Sequence, residues 1–117
     1  MGRLVLAFAA LLFSVGASGQ EYAGIWTAKH PNGSVVTLEL EQSGPGGVTG
    51  KLQGSGARFD VDAEVRADGI VGLVSGDNAM VYLTGRLSGE TLNILLMEPK
   101  ANGEPDEATR RIIRFTR

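Results

Sequence analysis

The stretch from Ala57 to Arg66 alternates apolar and charged residues without a break, and this period of two constrains the fold more than any other feature of the chain. Successive side chains of a β-strand point to opposite sides, so this stretch is predicted to place one side on a core and the other in water. The segment from Ser34 to Gln42 repeats the pattern with Val36, Leu38 and Leu40. Convincing helical periodicity is absent beyond the N-terminal segment, so the chain is predicted to be all-β.

Glycine-rich turns divide the chain after residue 19 into eight short segments. Fourteen of the 17 glycines lie there, and glycine tolerates the positive φ angles that tight turns require. The predicted strands are Gly24–Lys29, Ser34–Gln42, Val48–Gly54, Ala57–Arg66, Ile70–Ser75, Ala79–Leu87, Thr91–Glu98 and Arg110–Thr116.

The links between these segments are short except for Pro99–Thr109, which favours an antiparallel up-and-down meander. A flat meander of eight strands leaves two edges open to aggregation, and closure into a barrel removes both edges. We therefore expect an eight-stranded closed barrel. An open two-sheet sandwich is the alternative, because periodicity does not separate the two.

The N-terminus has the layout of a secretory signal peptide. Arg3 precedes an apolar run from Leu4 to Val15, and the small residues Ala17, Ser18 and Gly19 follow. We expect cleavage after Ala17 or after Gly19, and we assign residues 1–19 to the signal peptide and residues 20–117 to one domain that is secreted or periplasmic. An uncleaved membrane anchor is the alternative, although the run is short for a bilayer span. The chain has no cysteine that could be lipidated or form a disulfide.

Charge argues against two classes of partner. Without Arg3 the formal charge changes from −2 to −3, and the sequence shows no basic stripe. We therefore predict binding neither to nucleic acid nor to an anionic membrane surface. We also predict no stable membrane insertion, because the N-terminal apolar run is short for a bilayer span.

Residues that could carry catalysis are few. His30, the single histidine, lies in a predicted turn, cysteine is absent, and no G-x-S-x-G motif occurs. Asp60, Asp62 and Glu64 share one side of a strand and could hold a calcium ion, but the flanking arginines favour a solvated charged surface. We predict no catalytic residue, no metal and no cofactor.

The period of two assigns an apolar set to the barrel interior. An eight-stranded barrel has room for these side chains alone or for one small molecule as well, and both alternatives stay open at this point. Arg117 is the only ionised residue that is a candidate for the inward set. Gly50, Gly72 and Gly85 also fall on the inward phase. The predicted inward residues are Trp26, Val36, Leu38, Leu40, Leu52, Phe59, Val61, Val65, Leu73, Val81, Leu83, Leu87, Leu92, Ile94, Leu96, Ile113 and Phe115.

The outward phase contains more apolar residues than a soluble barrel needs. Contiguous apolar surface usually marks association, so we predict a surface for a protein partner or for homo-oligomerisation. A phase slip or cover by the Pro99–Thr109 loop is the alternative. The predicted surface comprises Ile25, Met80, Tyr82, Leu95, Met97 and Ile112.

Several motifs resemble the calycin barrels, a group that includes avidins, lipocalins and small bacterial inhibitors of secreted metalloproteases. The motifs are Gly24-Ile25-Trp26, Asn32-Gly33-Ser34, Gly50, and Ile113-Arg114-Phe115-Thr116-Arg117 at the end. The resemblance implies that Gly24 and Trp26 close the base of the barrel, with Arg117 or Arg114 packed across the indole. No tryptophan follows Trp26, so the tryptophan wall of an avidin biotin site is missing. The short start Gln20–Ala23 differs from the inserting arm of the protease inhibitors.

We therefore expect an exported, non-enzymatic binding barrel that recognises a small apolar ligand or a protein partner. The expected ligand-binding residues are Trp26, Ser34, Leu38, Leu52, Phe59, Leu83 and Phe115. One alternative is a protein-interaction or protease-inhibitor barrel that acts through its outer surface and loops. Another is a barrel enzyme whose apolar cavity shapes its substrate.

Overall fold

The computed structural model describes residues 20–117, so the predicted signal peptide, residues 1–19, lies outside the described residues. Each strand pairs antiparallel with the next, and β8 returns to β1 to close the barrel. The predicted eight-stranded meander closed into a barrel is confirmed, and the open sandwich is not formed. The strands are β1 (Gly24–Lys29), β2 (Val35–Ser43), β3 (Gly47–Gly54), β4 (Ala57–Arg66), β5 (Gly69–Ser75), β6 (Met80–Ser88), β7 (Thr91–Met97) and β8 (Arg111–Thr116).

Strand β4 shows how the alternating sequence builds the wall. Val61 and Ala63 point into the barrel and are buried, whereas Asp60 and Asp62 point out and are exposed. The exposed Asp60 carboxylate accepts a hydrogen bond from Lys51 Nζ of β3 at 2.7 Å. One side of the strand is thus core and the other is solvated, as the period of two predicts.

Ser34 lies in the turn before β2, although the sequence predicts it as the first residue of that strand. Its backbone N–H and its hydroxyl both donate to Asn32 Oδ1, at 2.9 and 2.7 Å. His30 N–H donates to the Ser34 carbonyl oxygen at 2.8 Å, and Gly33 has a φ of 94°. The side chain of Asn32 therefore holds this turn together, and strand pairing begins one residue later.

The eight strands give the barrel two distinct ends. The chain enters β1 at Gly24, and this end also carries the short turns after β2, β4 and β6 and the C-terminal Arg117. The opposite end carries the turns after β1, β3 and β5 and the longest connection, between β7 and β8. We call the first the closed end and the second the open end, for reasons given below.

Inward side chains form one continuous core. Trp26, Leu92 and Phe115 are completely inaccessible to solvent, and the described residues include no buried polar or charged residue. Gly50 brings β2 and β3 together, because a Cβ at this position would overlap the Glu39 carbonyl oxygen. The other buried core residues are Tyr22, Leu38, Leu40, Val48, Val61, Ala63, Ile70, Val74, Leu83, Ile94 and Leu96.

One predicted core residue lies on the wrong side of the wall. Leu73 points outward and is 39% exposed, so its assignment to the core was wrong. Gly72 pairs with Ala63 and Leu83, both of which point inward, so the neighbouring residue must point out. Val74 supplies the inward side chain instead.

The connection between β7 and β8 is itself held by hydrogen bonds. Glu98 N–H donates to Thr109 Oγ1 at 2.8 Å, and an isolated bridge joins the two prolines, Pro99 and Pro105. The Tyr82 hydroxyl, on the outside of β6, donates to the Gly103 carbonyl oxygen. The tip of the connection therefore folds back onto the outer wall.

None of the helical segments in residues 20–117 has the length and hydropathy to cross a membrane.

Candidate ligand-binding site

A short 3₁₀ turn, Gln20–Tyr22, seals the closed end of the barrel. Trp26 Nε1 donates a hydrogen bond to the Tyr22 carbonyl oxygen at 2.9 Å, which satisfies the polar atom of a fully buried indole. Tyr22 is itself buried, with 4% of its surface exposed. Burial, followed by the nearby charges of Glu21 and Asp68, raises the pKa of the Tyr22 hydroxyl above 10.0.

Arg117 completes the seal. Its guanidinium carbon lies 4.2 Å from the centroid of the Trp26 ring, within the range of a cation–π interaction. Its Nη1 donates to the Ala23 carbonyl oxygen at 3.0 Å, and its Nε donates to Glu90 Oε1 at 3.1 Å. Gly24 lies alongside, since a Cβ there would be 3.7 Å from Arg117 Nη1. Arg117 therefore packs across the indole.

Arg114, the other candidate for that role, lies elsewhere. It is exposed, and it pairs with Asn93 of β7 on the outside of the wall. The period of two separates the two arginines, because Arg117 follows the phase of the buried Phe115 and Arg114 does not.

The open end is an apolar pocket. Here the inward side chains of Leu52, Phe59 and Val81 are only partly buried, although they pack against the core. With the buried Val74 and Leu96 they form the floor of a pocket with a volume of about 550 Å³. Recesses of similar volume lie on the outer wall and beside the 3₁₀ turn at the closed end, so volume alone does not distinguish this pocket. Its distinction is that the floor is the apolar interior of the barrel.

Polar groups lie at the rim of this pocket. Asn78 precedes β6, Glu98 follows β7, and Arg111 begins β8. Arg111 pairs with the inward-facing Leu96, so it shares the inward phase. The expectation that Arg117 was the only ionised candidate for that phase was therefore wrong. Counting back by two from Arg117 along β8 reaches Arg111, a signal that the sequence did contain.

The predicted ligand-binding residues divide into three groups. Leu52 and Phe59 line the pocket. Ser34 lies in the turn after β1 with its hydroxyl bonded to Asn32, and it does not line the pocket. The remaining four side chains are packed within the core, beneath or beyond the pocket floor, and are between 0 and 2% exposed: Trp26, Leu38, Leu83 and Phe115.

The predicted partner surface is only partly contiguous. Tyr82 pairs with Met97, and Leu95 pairs with Ile112, on the outside of β6–β8. Met80 lies at the start of β6 and reaches the pocket rim. Ile25 is separate from the rest. The pairing of Thr27 with Thr116 places it six residues along the strands from Ile112, or about 20 Å.

The arrangement at the open end can remove an apolar group from water. The side chains of its floor are all hydrocarbon, and its titratable groups, Glu98 and Arg111, lie at the rim. His30 is exposed in a turn, where its Nδ1 accepts a hydrogen bond from Asn32 N–H at 3.2 Å. Within residues 20–117 no group of three or more histidine, aspartate or glutamate side chains could hold a metal ion.

On the outer wall, Lys51 lowers the pKa of the exposed Asp60 carboxyl, mainly through the hydrogen bond between them. That carboxylate is therefore occupied by a lysine across the strand pair. This arrangement agrees with the solvated charged surface expected for β4.

No family model matches the chain, and no curated protein and no solved structure shows significant similarity to it. The structure is an eight-stranded antiparallel barrel, which is compatible with the resemblance to calycins. The resemblance therefore extends as far as this architecture.

Proposed function

We propose that the protein is an exported, calycin-like binding barrel that takes a small apolar molecule, or the apolar part of a larger one, into the pocket at the open end. One observation carries the proposal. At the closed end Trp26, Leu92 and Phe115 are completely buried, and only Val65 and Leu87 at its margin are partly exposed, whereas Leu52, Phe59 and Val81 remain partly exposed around an open-end pocket of about 550 Å³. A pocket of this volume falls in the range used by small-molecule sites.

The chemistry of the pocket indicates the chemistry of the ligand. Burial of apolar ligand surface against Leu52, Phe59 and Val81 contributes about 25 cal/mol to binding for each Å² removed from water. Asn78, Glu98 and Arg111 at the rim can contact polar groups that remain near solvent. We therefore favour a ligand with an apolar body and a polar end.

The test places a large side chain across the mouth. Ala79 lies exposed on the pocket rim, so Ala79→Trp is expected to obstruct entry without disturbing the core. Ala101→Trp is the matched control, because Ala101 is also exposed and does not line the pocket. Binding is measured by fluorescence titration with the neutral apolar probe N-phenyl-1-naphthylamine.

The unmodified protein should bind the probe, Ala79→Trp should weaken binding at least about 10-fold, and Ala101→Trp should leave it within about twofold. Native mass spectrometry of the protein purified from its export route should show a retained small molecule. A bare protein that also fails to bind the probe would contradict the proposal. Function would then be assigned to the outer surface.

A further inference from the structure

The outside of β5–β8 carries an apolar surface that the pocket does not use, and the tip of the β7–β8 connection lies against it at Tyr82. We call this surface the outer apolar face. Ile112 is 63% exposed, Val71 is 42% exposed and Leu73 is 39% exposed, which is unusual for large apolar side chains gathered on one wall. The face consists of Val71, Leu73, Tyr82, Leu95, Met97 and Ile112.

Strand register makes these residues neighbours. In one row, Val71 pairs with Thr84, Thr84 with Leu95, and Leu95 with Ile112. In the next row towards the open end, Leu73 pairs with Tyr82, and Tyr82 pairs with Met97. Directly paired side chains lie about 5 Å apart on the same side of a sheet. The two rows therefore form one patch rather than scattered residues.

Charges of opposite sign flank the face on its two sides. On β4, Asp62 pairs with Leu73 and Glu64 pairs with Val71, so the acidic flank adjoins β5. Arg110 precedes β8 and Arg114 lies within it, so the basic flank is on the other side. The ion pairs within residues 20–117 include none of Asp62, Arg110 and Arg114. Glu64 contacts Arg66 on its own strand.

This order of charges fits a second copy of the same chain. A two-fold axis that lies in the plane of the contact and runs parallel to the strands places the acidic flank of one copy opposite the basic flank of the other. Both flanks are then satisfied at once, which is the self-complementarity that an isologous interface requires. A like-charged border on both sides would have repelled a second copy.

The relief of the face fits the same arrangement. A groove of about 540 Å³ runs beside Val71, Thr84 and Leu95, Arg86 and Arg110 also line it, and Ile112 stands at its edge. About the proposed axis, the protruding Ile112 of each copy faces the groove of the other. A standard interface takes about 800 Å² from each partner, so the charged flanks must contribute together with the apolar rows.

We propose that the outer apolar face is an isologous interface through which two copies of this chain pair about a two-fold axis. The contact leaves the mouth of the barrel free, so pairing is independent of the ligand pocket. It forms between the outer walls, with apolar rows in the centre and acid-to-base contacts on both flanks.

Sedimentation velocity at protein concentrations from about 1 to 100 µM tests the proposal. The unmodified protein should reach the mass of a dimer within this range. Ile112→Glu should raise the dissociation constant at least about 100-fold, because it replaces the apolar side chain that faces the groove of the other copy with a carboxylate. Ile25→Glu is the matched control, since Ile25 is 59% exposed and lies away from the face. Circular dichroism shows whether both variants keep the barrel.

Charge reversal distinguishes the two-fold contact from any other association. Asp62→Lys with Glu64→Lys makes both flanks of one variant basic, and Arg110→Glu with Arg114→Glu makes both flanks of the other acidic. Each variant alone should be monomeric, and an equimolar mixture should restore a heterodimer, because every flank then meets its opposite. Any one of three results would overturn the proposal. These are an unmodified protein that is monomeric at 100 µM, dissociation by Ile25→Glu but not by Ile112→Glu, and an equimolar mixture of the two charge variants that stays monomeric.

Discussion

The two ends of the barrel are built from the same inward-facing apolar pattern, yet they differ in what covers them. At the closed end, the 3₁₀ turn Gln20–Tyr22 and Arg117 lie against Trp26, and Trp26 and Phe115 are fully buried. At the open end, Leu52 and Phe59 keep part of their surface exposed. An apolar interior therefore becomes a core only where another segment seals it, and it becomes a pocket where none does.

The long connection between β7 and β8 explains why the open end stays open. It is the one link at that end with enough residues to cross the mouth. Instead, its tip is bonded to the outer wall through the Gly103 carbonyl oxygen and the Tyr82 hydroxyl, and only Glu98 and Pro99 reach the rim. The path of this connection therefore contributes as much as the strands do to the difference in solvent exposure between the two ends.

Truncating one aromatic residue at each end gives the largest contrast. Trp26→Ala is expected to lower the free energy of unfolding by about 3–5 kcal/mol, since it removes a fully buried indole and leaves a cavity. Phe59→Ala should cost about 1–2 kcal/mol, because part of the ring is already in solvent. Denaturant unfolding of both variants measures the difference. Equal losses, or a loss below about 1 kcal/mol for Trp26→Ala, would remove the distinction between the ends.

Arg117 provides a second, smaller comparison within the closed end. Arg117→Gln is expected to lower stability by about 1–2 kcal/mol, since it removes the stacked cation and its bond to the Ala23 carbonyl oxygen. The ion pair with Glu90 contributes little, because the Glu90 side chain is 76% exposed. Arg114→Gln is the control and should change stability by less than about 0.5 kcal/mol. A larger loss for Arg114→Gln would reverse the assignment of the sealing residue.

The strand order and closure could be predicted because their signals are local. The alternation of Ala57–Arg66 and the turn glycines need no knowledge of distant residues, and eight short antiparallel strands close readily into a barrel. The assignment of Leu73 to the core conflicted with the inward phase of its neighbour Gly72, since adjacent residues of a strand point to opposite sides. Trp26 and Arg117 could be paired only through the resemblance to calycins, and the phase of Phe115 then selects Arg117 over Arg114.

The pocket could be predicted only in part because its limits depend on contacts between distant segments. Leu38, Leu83 and Phe115 share the inward phase with Leu52 and Phe59, and periodicity does not show how deep each lies. Depth follows from which end is sealed, and that depends on the bond from Trp26 to Tyr22. Arg111 was overlooked although its phase follows from counting back by two from Arg117 along the predicted strand Arg110–Thr116.

The smallest expected effect concerns the pH dependence of the closed end. The pKa of Tyr22 is raised above 10.0, first by burial and then by Glu21 and Asp68, so the folded barrel holds the phenolic proton more tightly than the unfolded chain does. This contribution to stability is complete below the unfolded pKa of about 10 and is lost as the pH rises through the higher folded value. The barrel should therefore lose stability in alkali above pH 10.

Tyr22→Phe removes the ionising group and keeps the aromatic ring, so its unfolding free energy should fall less between pH 9 and pH 11 than that of the unmodified protein. Denaturant unfolding across this range, followed alongside tyrosinate absorbance, measures both quantities. The open end has no comparably buried phenol among its pocket residues, so Ala79→Trp should keep the full alkaline loss. If Tyr22→Phe lost as much stability between pH 9 and pH 11 as the unmodified protein, the Tyr22 hydroxyl would be more exposed to water than the packing around Trp26 implies. The two ends of the barrel would then differ less in how well they exclude water.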